Sequence, residues 1–146
     1  VLAQRTAHVE MPPDLREAFG RHRLTARHGA VLGQLAVADE NTGVGDLARA
    51  MGVSLSTASE LVGDLSRAGI VERREDPGNR RRTLVRLADA YRPSVEQLVA
   101  GRAAPLLRVL DGLSERDRQG FAAGLRAWAA EVRNWTPPTV DPPKTP

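Results

Sequence analysis

Four arginines, Arg80, Arg81, Arg82 and Arg86, lie within seven residues that contain no acid. A guanidinium is planar, always charged and carries five donors, so such a cluster suits an anionic partner. Upstream, Ser54, Ser56, Thr57 and Ser59 set four hydroxyls within six residues. Hydroxyls can bond phosphate oxygens or base edges, and a helix opening at that point attracts phosphate through its own N–H groups. The alternative for the serines is an ordinary capped helix with a serine-rich face. For the arginines it is a solvated run of charge.

The surrounding pattern says what would hold these groups. Leu47, Ala48 and Met51 give a short helix from about Gly45 to Met51, closed by Gly52, where a left-handed backbone is easy for glycine. Ser54 is placed to cap the next helix, which buries Ala58, Leu61, Val62 and Leu65 and ends at Gly69. Ala48 and Ala58 are small where the two helices would cross. Ile70 and Val71 begin a strand, Asp76-Pro77-Gly78-Asn79 is dense in turn formers, and Leu84, Val85 and Leu87 carry the return strand. Helix, turn, helix and basic hairpin is a way of putting one helix into a DNA groove and one loop onto the adjoining backbone. An arginine on a narrow hairpin tip can enter the minor groove, where the potential is most negative.

Other elements follow from the same rules. Pro12-Pro13 leads into a short helix to about His22, with Asp14 and Glu17 in its first turn. Thr25 is the expected cap of a second helix carrying Val31, Leu32, Leu35 and Ala36 and ending near Ala38. From Asp89 the period is helical again through Val95, Leu98, Val99, Leu106, Val109 and Leu110, with a bend expected at Gly101 and Pro105. Ser114 with Asp117 reads as a capping box opening a last helix whose apolar face is Phe121, Leu125, Trp128 and Val132. Residues 136–146 hold five prolines and are expected to be disordered. No internal repeat is present.

Composition narrows the field. A chain of 146 residues is long enough for one domain with a core. Aromatics are 3%, so that core must come from Leu, Val and Ala, which favours helices. Net charge is +3, and Lys144 is the only lysine. With no cysteine, disulfides and thiolate chemistry are excluded. His8, His22 and His28 form no HxxxH or HExxH pattern, so no metal or cofactor is expected. No apolar run reaches about 18 residues and no secretory leader is evident, so a cytoplasmic protein with no membrane partner is the expectation. Val1 fits a GTG start codon, with Met11 as the alternative start.

The segments LARAMGVSLSTASELVGDLSRAGIVERREDP and NRRRTLVRL resemble the MarR-type winged-helix transcriptional regulators. The resemblance runs from roughly Leu24 to the last helix. It implies a mainly α fold with a small β-hairpin wing (α+β), a winged helix-turn-helix flanked by dimerisation helices. It places Ser54, Ser56, Thr57 and Ser59 where the recognition helix meets DNA. Asn79 and Arg81 fall on the family's D-x-R positions, where an acid steadies the arginine that enters the minor groove. Arg80 and Arg82 flank that position. The pattern departs at Asn79, which turns the ion pair into a neutral hydrogen bond, at Glu60, where a basic or neutral residue is common, and at Ala88, where threonine is usual. The first helix is also shorter than the family's norm.

The expected division is residues 1–24 as an N-terminal arm and short dimerisation helix, 25–88 as the DNA-binding domain, 89–135 as dimerisation helices and 136–146 as the tail. The resemblance implies a homodimer on a pseudo-palindromic double-stranded DNA operator, with Trp128 and Trp135 as interface anchors, acting as a repressor and relieved by a small-molecule effector. Two rivals stand beside it. Thr42-Gly43-Val44-Gly45 offers a G-x-G, but no βαβ context, so an enzyme is not expected. A winged helix that binds protein instead of DNA is the alternative that Glu60 and Asp64 keep open.

Overall fold

The computed structural model describes residues 10–135. The expected arm over residues 1–9 and the proline-rich tail lie outside the described residues. The chain divides into two compact units after Pro105. Its elements are α1 (Pro13–Arg21), α2 (Ala26–Ala36), α3 (Val44–Met51), α4 (Leu55–Arg67), β1 (Val71–Asp76), β2 (Asn79–Leu87), α5 (Arg92–Asp111) and α6 (Glu115–Asn134).

The first unit is built around α4. Ala58, Val62 and Leu65 on this helix are fully buried, packed in one cluster with Leu15 of α1, Val31 and Leu32 of α2, Leu47 of α3 and Val95 of α5. Burial of aliphatic side chains is the driving term here, about 1.5–3 kcal/mol for each. The ends of the helices are set by side chains. Ser54 Oγ accepts the Thr57 N–H at 3.1 Å, which caps α4. Gly52 takes φ 65°, and the Val53 N–H then closes on the Ala48 carbonyl at 3.0 Å. Gly69 takes φ 73° and lets the Ile70 N–H reach the Leu65 carbonyl at 3.0 Å. Ile70 therefore ends a helix; the strand expected from it begins one residue later.

The wing is a two-stranded antiparallel ribbon with Pro77-Gly78 as its two-residue turn. Asp76 pairs with Asn79, and the register shifts between Glu75 and Asp76. The loop before α3 lies along β2: Gly43 bridges Leu84, and the Val85 N–H donates to the Thr42 carbonyl at 2.9 Å. This bridge and hydrogen bond fix the wing's root beside the start of α3.

Three local expectations are corrected. Helix α2 stops at Ala36, two residues early, because the Val37 N–H has turned to the Gln34 carbonyl. Glu17 lies beyond the first turn of α1 and pairs with Arg21 one turn on. Ser114 caps α6 through the Asp117 N–H at 3.2 Å, but the Asp117 carboxylate takes the Ser114 hydroxyl (2.6 Å), not a backbone N–H.

Helix α5 is continuous through Gly101 and Pro105. A proline removes the donor to the carbonyl four residues back, which here belongs to Gly101. The two units meet in the chain at that point. The second unit is the end of α5 and α6. Its apolar side chains are open to solvent: Leu106, Leu107 and Val109 on α5, and Phe121, Leu125, Trp128 and Val132 on α6. The last four recur at helical spacing on one face.

Candidate nucleic-acid interface

Helix α4 presents its start and one flank outward while its other face is the core. The three hydroxyls at its start form a small network. Ser54 Oγ lies 2.9 Å from both Ser56 Oγ and Thr57 Oγ1. Ser54 already accepts the Thr57 N–H, so it can accept one further proton and donate one. Two hydroxyl protons fill those two bonds. The third, on Ser56 or Thr57, is left to donate outward. Ser59, about one turn further along α4, is half-buried.

A groove of about 410 Å³ opens between the start of α3, α4 and the wing. Leu55 and Ser59 of α4, Arg49 of α3, and Arg73, Asn79, Arg81 and Arg82 of the wing line it. On the other flank of α4, Ser56, Ser59, Glu60, Asp64, Arg67 and Arg73 line a second depression. Ser59 and Arg73 face both hollows. Of the sequence-based site residues, Ser59, Arg81 and Arg82 come together in the groove and Ser56 lies on the neighbouring flank. Ser54 and Thr57 sit at the helix start, and Arg80 is exposed on the wing and lines neither hollow.

The four arginines that looked alike in sequence separate in space. Arg80 and Arg81 are exposed, and among the described residues no acid is paired with either. Arg86 is held by Glu72 at 2.6 Å and Asp89 at 3.2 Å. Arg82 is held by Asp46 at 2.6 Å and Asp76 at 3.3 Å, and also donates to the Asn41 carbonyl at 2.7 Å. Arg82, expected at the DNA interface beside Arg81, is thus a guanidinium engaged on three sides. Asn79 behaves differently from the expected partner of an arginine head group. Its Oδ1 accepts the backbone N–H of Arg81 at 3.1 Å and so shapes the tip instead of neutralising it.

Two carboxylates near the interface, Asp46 and Asp64, are shifted toward the ionised form. Asp46 lies below the usual carboxylate range because its oxygen accepts the Gly43 N–H and the Arg82 guanidinium. Asp64 lies below it through the His28 hydrogen bond and then Arg67, against a desolvation cost. His28 is buried. The Thr25 N–H donates to its Nδ1 at 2.9 Å, so the network assigns the proton to Nε2, which reaches Asp64 Oδ2 at 3.1 Å. This link ties the start of α2 to the middle of α4.

Sequence reasoning missed Arg49, Arg73 and Leu55 as groove residues. The pattern of α3 already places Arg49 outward, since Leu47, Ala48 and Met51 take the inward side. Leu55 is 62% exposed at the first turn of α4, unusual for a leucine beside a core helix. Nothing in the local sequence brings Arg73 across to α4. Among the described residues no group of histidine, aspartate and glutamate could hold a metal ion, and no helix is long and apolar enough to cross a membrane.

Two crossed helices with a capped, outward-facing second helix and an arginine-tipped hairpin beside it make this a winged helix-turn-helix protein. Known proteins agree. Residues 23–82 match the sequence profile of the MarR family. The fold is similar to S. aureus MepR in its DNA-binding conformation, at 21% identity over 82% of this chain and 88% of that one, with a TM-score of 0.65. It is also similar to Streptococcus pneumoniae FabT in complex with DNA, at 18% identity over 82% and 87%, with a TM-score of 0.62. YusO of Bacillus subtilis is 25% identical over 82% and 84%, with a TM-score of 0.50. No curated protein sequence matches the chain significantly. The likeness to the MarR family covers the winged-helix segment, residues 23–82.

Proposed function

We propose that this chain is a sequence-specific double-stranded DNA-binding transcriptional regulator, a repressor acting in the cytoplasm as a homodimer. One observation carries the reading: Leu55 and Ser59 of α4 and the unpaired Arg81 of the wing line a single groove. In this reading α4 enters the major groove and the wing tip the adjoining minor groove. Ser54, Ser56, Thr57 and Ser59 supply hydroxyls to phosphates and base edges, and Arg81 enters the minor groove with Arg80 beside it. Arg49 and Arg73 face the phosphates between them. Leu55 is suited to a thymine methyl. Residues 25–88 form the DNA-binding part. The exposed apolar face of α6 and the end of α5, within residues 89–135, take a second copy, helped by α1 from residues 1–24. The support for the MarR-type mechanism is the family match together with the DNA complex of FabT. By resemblance a small-molecule effector relieves repression; titrating small aromatic acids into the DNA complex checks this by its dissociation.

Recovery of bound genomic fragments tests the function directly. Enriched fragments sharing a pseudo-palindrome, with half-sites about 10 bp apart, are expected. The second reading, a protein-binding winged helix, is favoured by one feature, the exposed Glu60 on the outward flank of α4. Salt decides between the two. Binding through arginines to phosphates weakens steeply as salt rises. Absence of duplex binding at low salt would leave the protein-binding reading in its place.

A further inference from the structure

Arg82 stands apart from the arginines that precede it. Its Nη2 donates to Asp46 Oδ2 on α3 and to the Asn41 carbonyl in the loop before α3, and its Nη1 faces Asp76 Oδ2 at the end of β1. One guanidinium thereby joins the wing, the loop and the helix that supports α4. Asp46 also pairs with Arg49 at 3.2 Å, so two carboxylates face two guanidiniums at this corner, and the Arg82 head group is engaged by both acids. A second arginine of the wing reaches the same loop: Arg74 Nη2 donates to the Glu40 carbonyl at 3.0 Å.

Space confirms the close fit. A Cβ on residue 43 would lie 2.9 Å from Arg82 Nε and 3.3 Å from Asp46 Oδ2. The backbone of Gly43 is at φ −99°, which any residue adopts. A side chain here would push the Arg82 head group aside, while the dihedrals themselves do not call for glycine. Asp46 also accepts the Gly43 N–H at 2.9 Å, so the same carboxylate that caps α3 receives the wing.

We infer that Arg82 is a positioning residue, a latch that fixes the wing against the start of α3 and so sets where Arg81 stands relative to α4. The inference rests on the proposed DNA binding for its functional consequence and on nothing else for its structural one. A wing already held in place loses less conformational freedom when DNA binds, which raises affinity without adding a contact. The latch is half in solvent, so its effect is modest, about two- to tenfold in affinity.

The decisive variant is Asp46→Asn in an Arg49→Ala background, since Asp46 also pairs with Arg49; there the two roles predict opposite signs. Asparagine keeps an oxygen for the Gly43 N–H and gives up the charge that holds Arg82. If Arg82 is a latch, affinity for duplex DNA falls about two- to tenfold and the slope of log K against log salt stays the same. If Arg82 is a DNA contact, the same change removes an acid from the interface and frees a cation, and affinity rises. Arg82→Lys separates them again. Lysine serves a phosphate as a point charge but cannot bridge three acceptors from three elements, so a latch is lost and a contact is kept. Gly43→Ala displaces Arg82 without touching any charge and should weaken binding as Asp46→Asn does.

All binding is measured by fluorescence anisotropy on a mixed-sequence duplex, well below each variant's melting temperature, so that loss of stability alone moves nothing. Hydrogen exchange over residues 71–87 of the free protein forms the second arm. Faster exchange in Asp46→Asn and Arg82→Lys supports the latch; unchanged exchange overturns it, as does any rise in affinity or an unmoved one. Wild-type protein that binds no duplex would refute the proposed function while the exchange arm still judges the latch.

Discussion

Replacing Arg81 by alanine isolates the role of the wing tip. The side chain is exposed, no acid among the described residues holds it, and its backbone N–H stays bonded to Asn79 Oδ1 in the variant. Such a surface change should move folding stability by less than about 0.5 kcal/mol. The DNA side is larger. One arginine contact in a groove is worth about 1–3 kcal/mol. A dimer places two wings on one operator, and the two sites are far enough apart to add, so the loss is about 2–6 kcal/mol. At about 1.4 kcal/mol per decade, even the low end is roughly a 30-fold weaker complex. The charge has its own signature. Each phosphate neutralised contributes about 0.9 to the slope of log K against log salt, so two lost wings flatten it by about 1.8. Anisotropy of a labelled duplex of about 30 bp, read from about 50 to 200 mM salt, measures both quantities. Unchanged affinity would refute the placement of Arg81. Weaker binding with an unchanged slope would refute it too, since it would mean the residue acts by shaping the wing and not by meeting the polyanion.

Further outcomes follow from the same geometry. Trp128→Glu puts a charge in the middle of the open face of α6 and should convert the dimer to monomer in sedimentation velocity; a variant that stays dimeric sinks the assignment of that face. Gly69→Ala forces a side chain into a backbone at φ 73° and should cost about 1–2 kcal/mol in urea unfolding. Ser54→Ala leaves the Thr57 N–H without its cap and should cost about 1 kcal/mol, again read as a shifted urea midpoint. Asp46 and Asp64 are both held below their ordinary values, so the folded protein takes up their protons later than the unfolded chain as pH falls. Their contribution is full above the unfolded value of about 3.9 and is lost as pH drops through it toward the folded values. The urea midpoint should therefore decline below about pH 4; a flat or rising midpoint there contradicts the assignment.

The sequence made some of this plain and hid the rest for reasons of range. Helix-turn-helix, wing turn and caps at Ser54, Gly52 and Gly69 are local events. Each is settled by residues within about one helical turn, so periodicity and turn chemistry suffice. The roles of Arg82 and Arg86 are not local in that sense. Arg82 finds Asp46 and Asn41 across 36 and 41 residues. A run with no acid in sequence thus contains one arginine held by acids from two other elements. His28 and Asp64 meet across 36 residues in the same way. Arg73 reaches the groove only because β1 returns past α4. Short-range signals show which side chains are basic; only the folded chain shows which of those charges are already spoken for.

Both tryptophans of the chain, Trp128 and Trp135, sit in or just after α6, and they are 65% and 62% exposed. The first unit, with its aliphatic core, has none. Indole emission is therefore a private reporter of the α6 region. A spectral shift on dilution would follow association of copies, while melting of the winged-helix core would pass unseen at the same wavelengths. Peptide circular dichroism would register the second event and hardly the first. Two common probes thus divide the behaviour of this protein between them, and a mismatch in their transitions would measure how far assembly and folding are coupled.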